Sequence, residues 1–107
     1  MRFGLDLAIF GPYADPDTLA DLAVAAEGAG WDGFFLWDHT VSAYEPEVTD
    51  PWIALTAAAV RTERLLLGPM VTPLARRRMT KLARETVALD HLSGGRLILG
   101  VGLGASD

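Results

Sequence analysis

Asp38 and His39 close the apolar run Phe34-Phe35-Leu36-Trp37. Four large apolar residues without polar alternation fit a strand buried on both faces, as in a parallel sheet covered by helices. Ionisable groups where such a strand emerges stand at the C-terminal edge of the sheet, where α/β folds build their sites in the following loops. His39 is the candidate for proton transfer or ligand contact, because an imidazole can give and take a proton near neutrality. A capped structural histidine is the alternative. Successive side chains of an extended strand point to opposite faces, so Asp38 and His39 cannot readily pair and at most one of them faces a site.

A second constellation is Gly100-x-Gly102-x-Gly104. Its period of two places all three glycines on one strand face, either for tight strand packing or to clear a surface for a flat ligand. A dinucleotide fingerprint would have to open a helix and be followed about 20 residues later by an acid, and this context is missing. Two histidines and no cysteine argue against a transition-metal site and exclude disulfides and thiol nucleophiles. His91, near a helix end, is explained by the helix dipole. No serine sits in a Gly-x-Ser-x-Gly elbow. The cluster Arg76-Arg77-Arg78 with Lys81 and Arg84 reads as a solvated helix start rather than a phosphate clamp. Trp31, Trp37 and Trp52 lie in apolar runs and are expected in the core.

The elements that must position these residues follow in regular succession. Phe3 to Ile9 is a short apolar strand ended by Gly11-Pro12. Asp15-Pro16 supplies an N-cap and a first-turn proline, and Leu19, Leu22, Ala23 and Ala26 give one apolar helix face that Gly28 and Gly30 terminate. After the central strand, Thr40 to Thr49 forms the longest loop, where substrate contacts are expected. Asp50-Pro51 opens a second helix running to about Arg61. Arg64 to Val71 is a third buried strand, with Gly68-Pro69 implying a bulge. A third helix spans about Met79 to Leu92 with Met79, Leu82, Ala83 and Thr86 on one face, and Ser93-Gly94-Gly95 stops it. Arg96 to Gly104 is the fourth strand. The order is (βα)3β with parallel strands, which suits a small doubly wound sheet or half of a TIM (β/α)8 barrel.

With 107 residues, half of them apolar, the chain is one domain with a real core. A formal net charge of -5 argues against a nucleic-acid surface. No stretch is long and apolar enough for a membrane span, and the first residues lack the features of a signal peptide, so a cytoplasmic protein is expected.

Five stretches taken together carry a resemblance. They are Ala25-Ala26-Glu27-Gly28-Ala29-Gly30-Trp31-Asp32-Gly33, Trp37-Asp38-His39, Asp50-Pro51-Trp52, Leu67-Gly68-Pro69-Met70-Val71-Thr72-Pro73, and Leu92-Ser93-Gly94-Gly95 continuing to Gly104. In this order they resemble the N-terminal part of the bacterial luciferase-like family of flavin- or deazaflavin-dependent oxidoreductases and monooxygenases. The resemblance covers nearly the whole chain, 1–107, but only the first half or less of the family's barrel. It implies a flavin (FMN) or a deazaflavin (coenzyme F420) at the C-terminal mouth, a small organic substrate, and His39 as the catalytic group. It also implies Asp38 at the cofactor edge, Met70, Val71 and Thr72 in a bulge with a non-prolyl cis peptide behind the ring, and Gly102 and Gly104 leaving room beside it. The chain departs from deazaflavin-dependent sugar-phosphate dehydrogenases where these place an indole and a glutamate, having Ala43 and Ala105. A non-catalytic α/β module, half-barrel or flavodoxin-like, is the alternative. A partial barrel leaves strand edges open, which favours homo-oligomers or edge pairing.

Overall fold

The computed structural model describes residues 1–105. Three parallel strands lie side by side in the order β1 (Gly4–Leu7), β2 (Gly33–Leu36) and β3 (Leu66–Pro69). Helices α1 (Pro16–Gly28) and α2 (Pro51–Arg61) connect them. A second parallel pair, β4 (Thr72–Pro73) with β5 (Val101–Gly102), continues the sheet, and α3 (Met79–Leu92) links its two strands.

The third and fourth strands differ from the continuous segments expected. Within the stretch expected from Arg64 to Val71 only β3 is formed; pairing stops after Pro69 and resumes as β4 beyond Val71, with a cis peptide between Met70 and Val71 in the gap. The stretch Arg96 to Gly104 follows both pieces, first through a parallel bridge between Leu67 and Leu97 and then through β5. Hydrogen bonds from Ile98 N to Leu67 O (2.9 Å) and from Thr72 N to Gly100 O (2.8 Å) bracket the break. The chain thus passes through (βα)3β with one interrupted strand.

The caps explain where the helices begin. Asp15 Oδ2 accepts from Thr18 N at 3.0 Å and Asp50 Oδ2 from Ile53 N at 2.8 Å, and each cap is followed by proline at the first helical position. Ala20, Ala23 and Ala26 of α1 and Ala54, Ala58 and Ala59 of α2 are buried, so the two helices approach closely over β2. Leu5, Leu7, Ile9, Phe34, Leu36, Leu65 and Leu67 turn toward the helices and form the core with Leu19, Leu55, Leu82 and Leu89. On α3 the buried positions are Leu82 and Leu89; Met79 and Ala83, expected on the apolar face, are exposed.

Two polar devices, one buried and one half-buried, hold the loops at the N-terminal ends of the strands. Arg96 donates to the carbonyls of Ala59 (2.8 Å), Thr62 (3.1 Å) and Leu65 (3.0 Å) and to Thr62 Oγ1 (2.8 Å), sealing the end of α2. Glu27 accepts from the backbone N–H groups of Glu63 (3.1 Å), Arg64 (2.9 Å) and Leu65 (2.9 Å). Burial acts to raise the Glu27 pKa, but these three N–H groups and the Arg64 charge outweigh it and hold the carboxyl below its ordinary value. A depressed carboxyl contributes stability above the ordinary glutamate range and loses it as pH falls through the folded-state value, from about pH 5 downward. Glu27→Gln is therefore expected to lower the urea midpoint at pH 7 and to leave a smaller difference from the parent at pH 3. An equal difference at both values would contradict the assignment.

Candidate functional site: a cleft at the strand C-termini

The turns after β2, β4 and β5 converge on one cleft of about 430 Å³, lined by Trp37, Asp38, His39, Met70, Val71, Pro73, Leu103, Gly104 and Ala105. All of these residues except Pro73, the last residue of β4, follow the C-terminal end of a strand or lie in the β3–β4 break, where strand polarity gathers the loops on one side.

Alternation along the strand separates Asp38 from His39. Asp38 takes the helix-facing side with Phe34 and Leu36 and has a side chain only 1% exposed. His39 takes the other side with Trp37, where its ring stands edge-on to Phe10 at a centroid separation of 5.6 Å and tilted against Trp37 at 6.0 Å. Phe10 also meets Trp37 edge-on at 5.8 Å. This aromatic trio fixes one rim of the cleft. Beneath it, Trp37 Nε1 donates to Asp6 Oδ2 at 3.3 Å. Burial pushes the Asp6 carboxyl above its usual range, and the indole hydrogen bond offsets part of that rise.

Two tryptophans depart from the core positions expected of them. Trp52 is buried, but Trp37 is 39% and Trp31 38% exposed. Trp37 occupies the sheet face opposite the helices, and Trp31 lies in the turn that precedes β2. The basic cluster departs as well. Arg77 Nη2 lies 2.6 Å from Asp38 Oδ2, and Arg76 donates to the Asp38 carbonyl oxygen, so two of its three arginines turn inward. A solvated helix start was expected, and the reason for the difference is the buried carboxylate: without cations beside it the Asp38 charge would be costly.

The glycine face is not open space. A Cβ on Gly102 would overlap Val71 Cγ2, one on Gly100 would come within 2.6 Å of Pro69 O, and one on Gly104 within 2.8 Å of Pro73 Cβ. These positions let the β3–β4 segment press against the last strand, and Val71 and Pro73, thus seated, form the cleft wall. Thr72 is fully buried behind that wall; its hydroxyl accepts from Trp52 Nε1 (3.2 Å) and donates to Asp38 Oδ2 (3.0 Å). The second carboxylate oxygen, Asp38 Oδ1, is buried without a hydrogen-bond partner among the described residues.

The structure brings together His39, Asp38, Met70, Val71 and Gly104 at the cleft and places Thr72 and Gly102 one layer behind. Phe10, Pro73, Arg76 and Arg77 were not singled out as site residues. Phe10 carried a usable signal, since it follows the first strand at the edge where His39 follows the second. The Asp38 to Arg77 contact carried none, because 39 residues separate the partners.

A family model for luciferase-like monooxygenases matches residues 1–107. An F420-dependent glucose-6-phosphate dehydrogenase from Nakamurella multipartita is 39% identical over 99% of this chain and 32% of its own length. The FMN complex of the oxygenating constituent of 3,6-diketocamphane monooxygenase from Pseudomonas putida superposes with a TM-score of 0.87 at 27% identity, covering 99% of this chain and 30% of that one. The coenzyme F420-dependent tetrahydromethanopterin reductase from Methanopyrus kandleri gives 0.82 at 33% identity, covering 97% and 27%. The chain spans less than a third of the length of each of these proteins.

Proposed function

The chain belongs to the luciferase-like monooxygenase family, and from that premise we propose that it forms part of a flavin- or deazaflavin-dependent oxidoreductase or monooxygenase. The fold is accordingly part of a TIM (β/α)8 barrel, and the flavodoxin-like alternative gives way to it. The observation that carries the proposal is the cleft itself, at the C-terminal mouth where such barrels hold their ligands. Its size falls within the range of cofactor sites, its walls are apolar and broad at Trp37, Val71 and Pro73, and the His39 imidazole adds a polar group at its rim. Those features fit a planar ring with a polar edge.

FMN or coenzyme F420, when bound, supplies the redox chemistry, and the protein supplies position and electrostatics. Met70 and Val71 would back the ring, and Gly104 would border it with Leu103 and Ala105. His39, held by Phe10 and Trp37, would orient a small organic substrate or hold a proton at its imidazole nitrogen. Asp38, Thr72 and Gly102 would belong to the cofactor site through the wall they support. Ala105 contributes a methyl group to the rim.

A cytoplasmic setting, as expected from the sequence, is part of the proposal. No helix among the described residues is long and apolar enough to cross a membrane. Among the described residues β1 has a neighbour on one side only, as does the last strand, and these edges would pair with further barrel strands or a second copy.

The test is titration with FMN and with coenzyme F420, followed by ligand fluorescence, on the chain alone and grafted in place of the matching segment of the Nakamurella multipartita relative. Binding by either form, weakened at least about tenfold by Val71→Asp because a charge then faces the ring, is the expected result. No binding of either ligand by either form would overturn the ring site, and sedimentation of the free chain as a monomer at high concentration would overturn self-pairing.

A further inference from the structure

The cleft wall is held from behind by a connected set of polar side chains drawn from three elements. Trp52, in the first turn of α2, donates through Nε1 to Thr72 Oγ1 at 3.2 Å. Thr72, in β4, donates onward to Asp38 Oδ2 at 3.0 Å. Arg77, just before α3, reaches the same oxygen at 2.6 Å, and Arg76 binds the Asp38 carbonyl oxygen. Arginine–carboxylate pairs at the surface contribute little, but here the carboxylate is 1% exposed and the Arg77 side chain 19%. Charge-assisted bonds in such surroundings are directional and resist rearrangement.

The placement of this set gives it a consequence for the cleft. Asp38 precedes His39, and Thr72 follows Val71, so the two anchored residues each adjoin a residue that lines the cleft. The Thr72 to Asp38 bond therefore ties the backbone carrying Val71 to the backbone carrying His39. We propose that Arg77, Asp38, Thr72 and Trp52 are a positioning relay that fixes the separation between His39 and Val71. The relay rests on the reading of the cleft as a ring site, and it gives Arg77 and Trp52 parts in that site. Asp38 Oδ2 is occupied within the relay, so its contribution to ligand binding passes through the wall.

The test compares Arg77→Met, Arg77→Lys and Thr72→Val with the parent chain. The readouts are the urea midpoint, two nuclear Overhauser contacts and the dissociation constants for FMN and coenzyme F420. The contacts are those between the Val71 methyls and the Gly102 α protons and between the Phe10 and His39 rings, both close in the structure. Arg77→Met is expected to keep its helical circular dichroism while both contacts weaken by at least about half, since displacements of this kind propagate to bound ligands. Ligand binding weakens about tenfold in parallel, and Arg77→Lys, which retains the charge, restores most of both. Thr72→Val keeps the shape but removes the bridging hydroxyl, and it decides the matter alone if Arg77→Met does not fold.

A lower urea midpoint with both contacts unchanged in these variants would show a stabilising role only and overturn the relay. If neither the parent chain nor the graft binds either cofactor, the ring reading fails while the two contacts still decide the relay. If parent and variants bind equally with unchanged contacts, the relay fails and the ring reading stands.

Discussion

Gly68→Ala is expected to lower the melting temperature by at least about 12 °C, the equivalent of about 3 kcal/mol in a domain of this size. Gly68 lies in β3, and a Cβ built there would overlap the carbonyl oxygen of Ile98 on the neighbouring strand. Backbone cannot yield as a flexible side chain can. The hydrogen bonds from Ile98 N to Leu67 O (2.9 Å) and from Gly100 N to Pro69 O (3.2 Å) pin the two strands on either side of the glycine, so the methyl group can fit only if pairing is lost. Gly28 offers the control. It ends α1 with no positive φ and nothing within 4 Å of its Cβ position, so Gly28→Ala should be neutral or stabilising by about 0.5–1 kcal/mol. Thermal unfolding of both variants checks the pair. A Gly68→Ala variant melting within about 2 °C of the parent would show that the strands separate more readily than this packing allows.

Removing the Arg96 guanidinium should cost a similar amount for the opposite reason, a deficit of donors. Arg96 is 9% exposed and faces no carboxylate among its recorded partners; carbonyls and one hydroxyl satisfy its charge. Three of those acceptors, on Ala59 and Thr62, belong to the end of α2, where helical carbonyls have no intrahelical partner. Arg96→Met fills the space but leaves several buried acceptors unpaired, for an expected loss of about 3 kcal/mol in urea unfolding with an unchanged m-value. Arg96→Lys should recover less than half of it, because one ammonium cannot span acceptors that the planar guanidinium reaches together. Full recovery by lysine would show that charge alone matters at this position.

Much of the scaffold was legible in advance. The Asp-Pro pairs at 15–16 and 50–51 mark helix starts through local chemistry, and Ser93-Gly94-Gly95 marks a stop, since caps and positive-φ glycines act within a few residues. The unbroken apolar run of β2 likewise identifies a strand, although helices cover only the face that carries Phe34 and Leu36. The interruption of the third strand was legible from Gly68-Pro69, although its place, after Pro69, was set by the path of the neighbouring strand. What failed involved distance along the chain. Arg76 and Arg77 look solvated until Asp38 arrives from β2, and Trp37 looks buried until the helices are found on the other side of its strand.

The sequence by itself determined the order of elements, the caps and the position of His39 at a strand's C-terminal end, because backbone propensity, capping and side-chain alternation are local properties. Tertiary structure alone decided that Asp38 turns away from His39 toward two arginines, and that Val71 occupies the face left bare by Gly102. It also decided that Arg96 closes the end of a helix more than 30 residues earlier. Each depends on which segments meet after parallel crossovers, and burial then selects partners by charge and shape that chain proximity does not reveal.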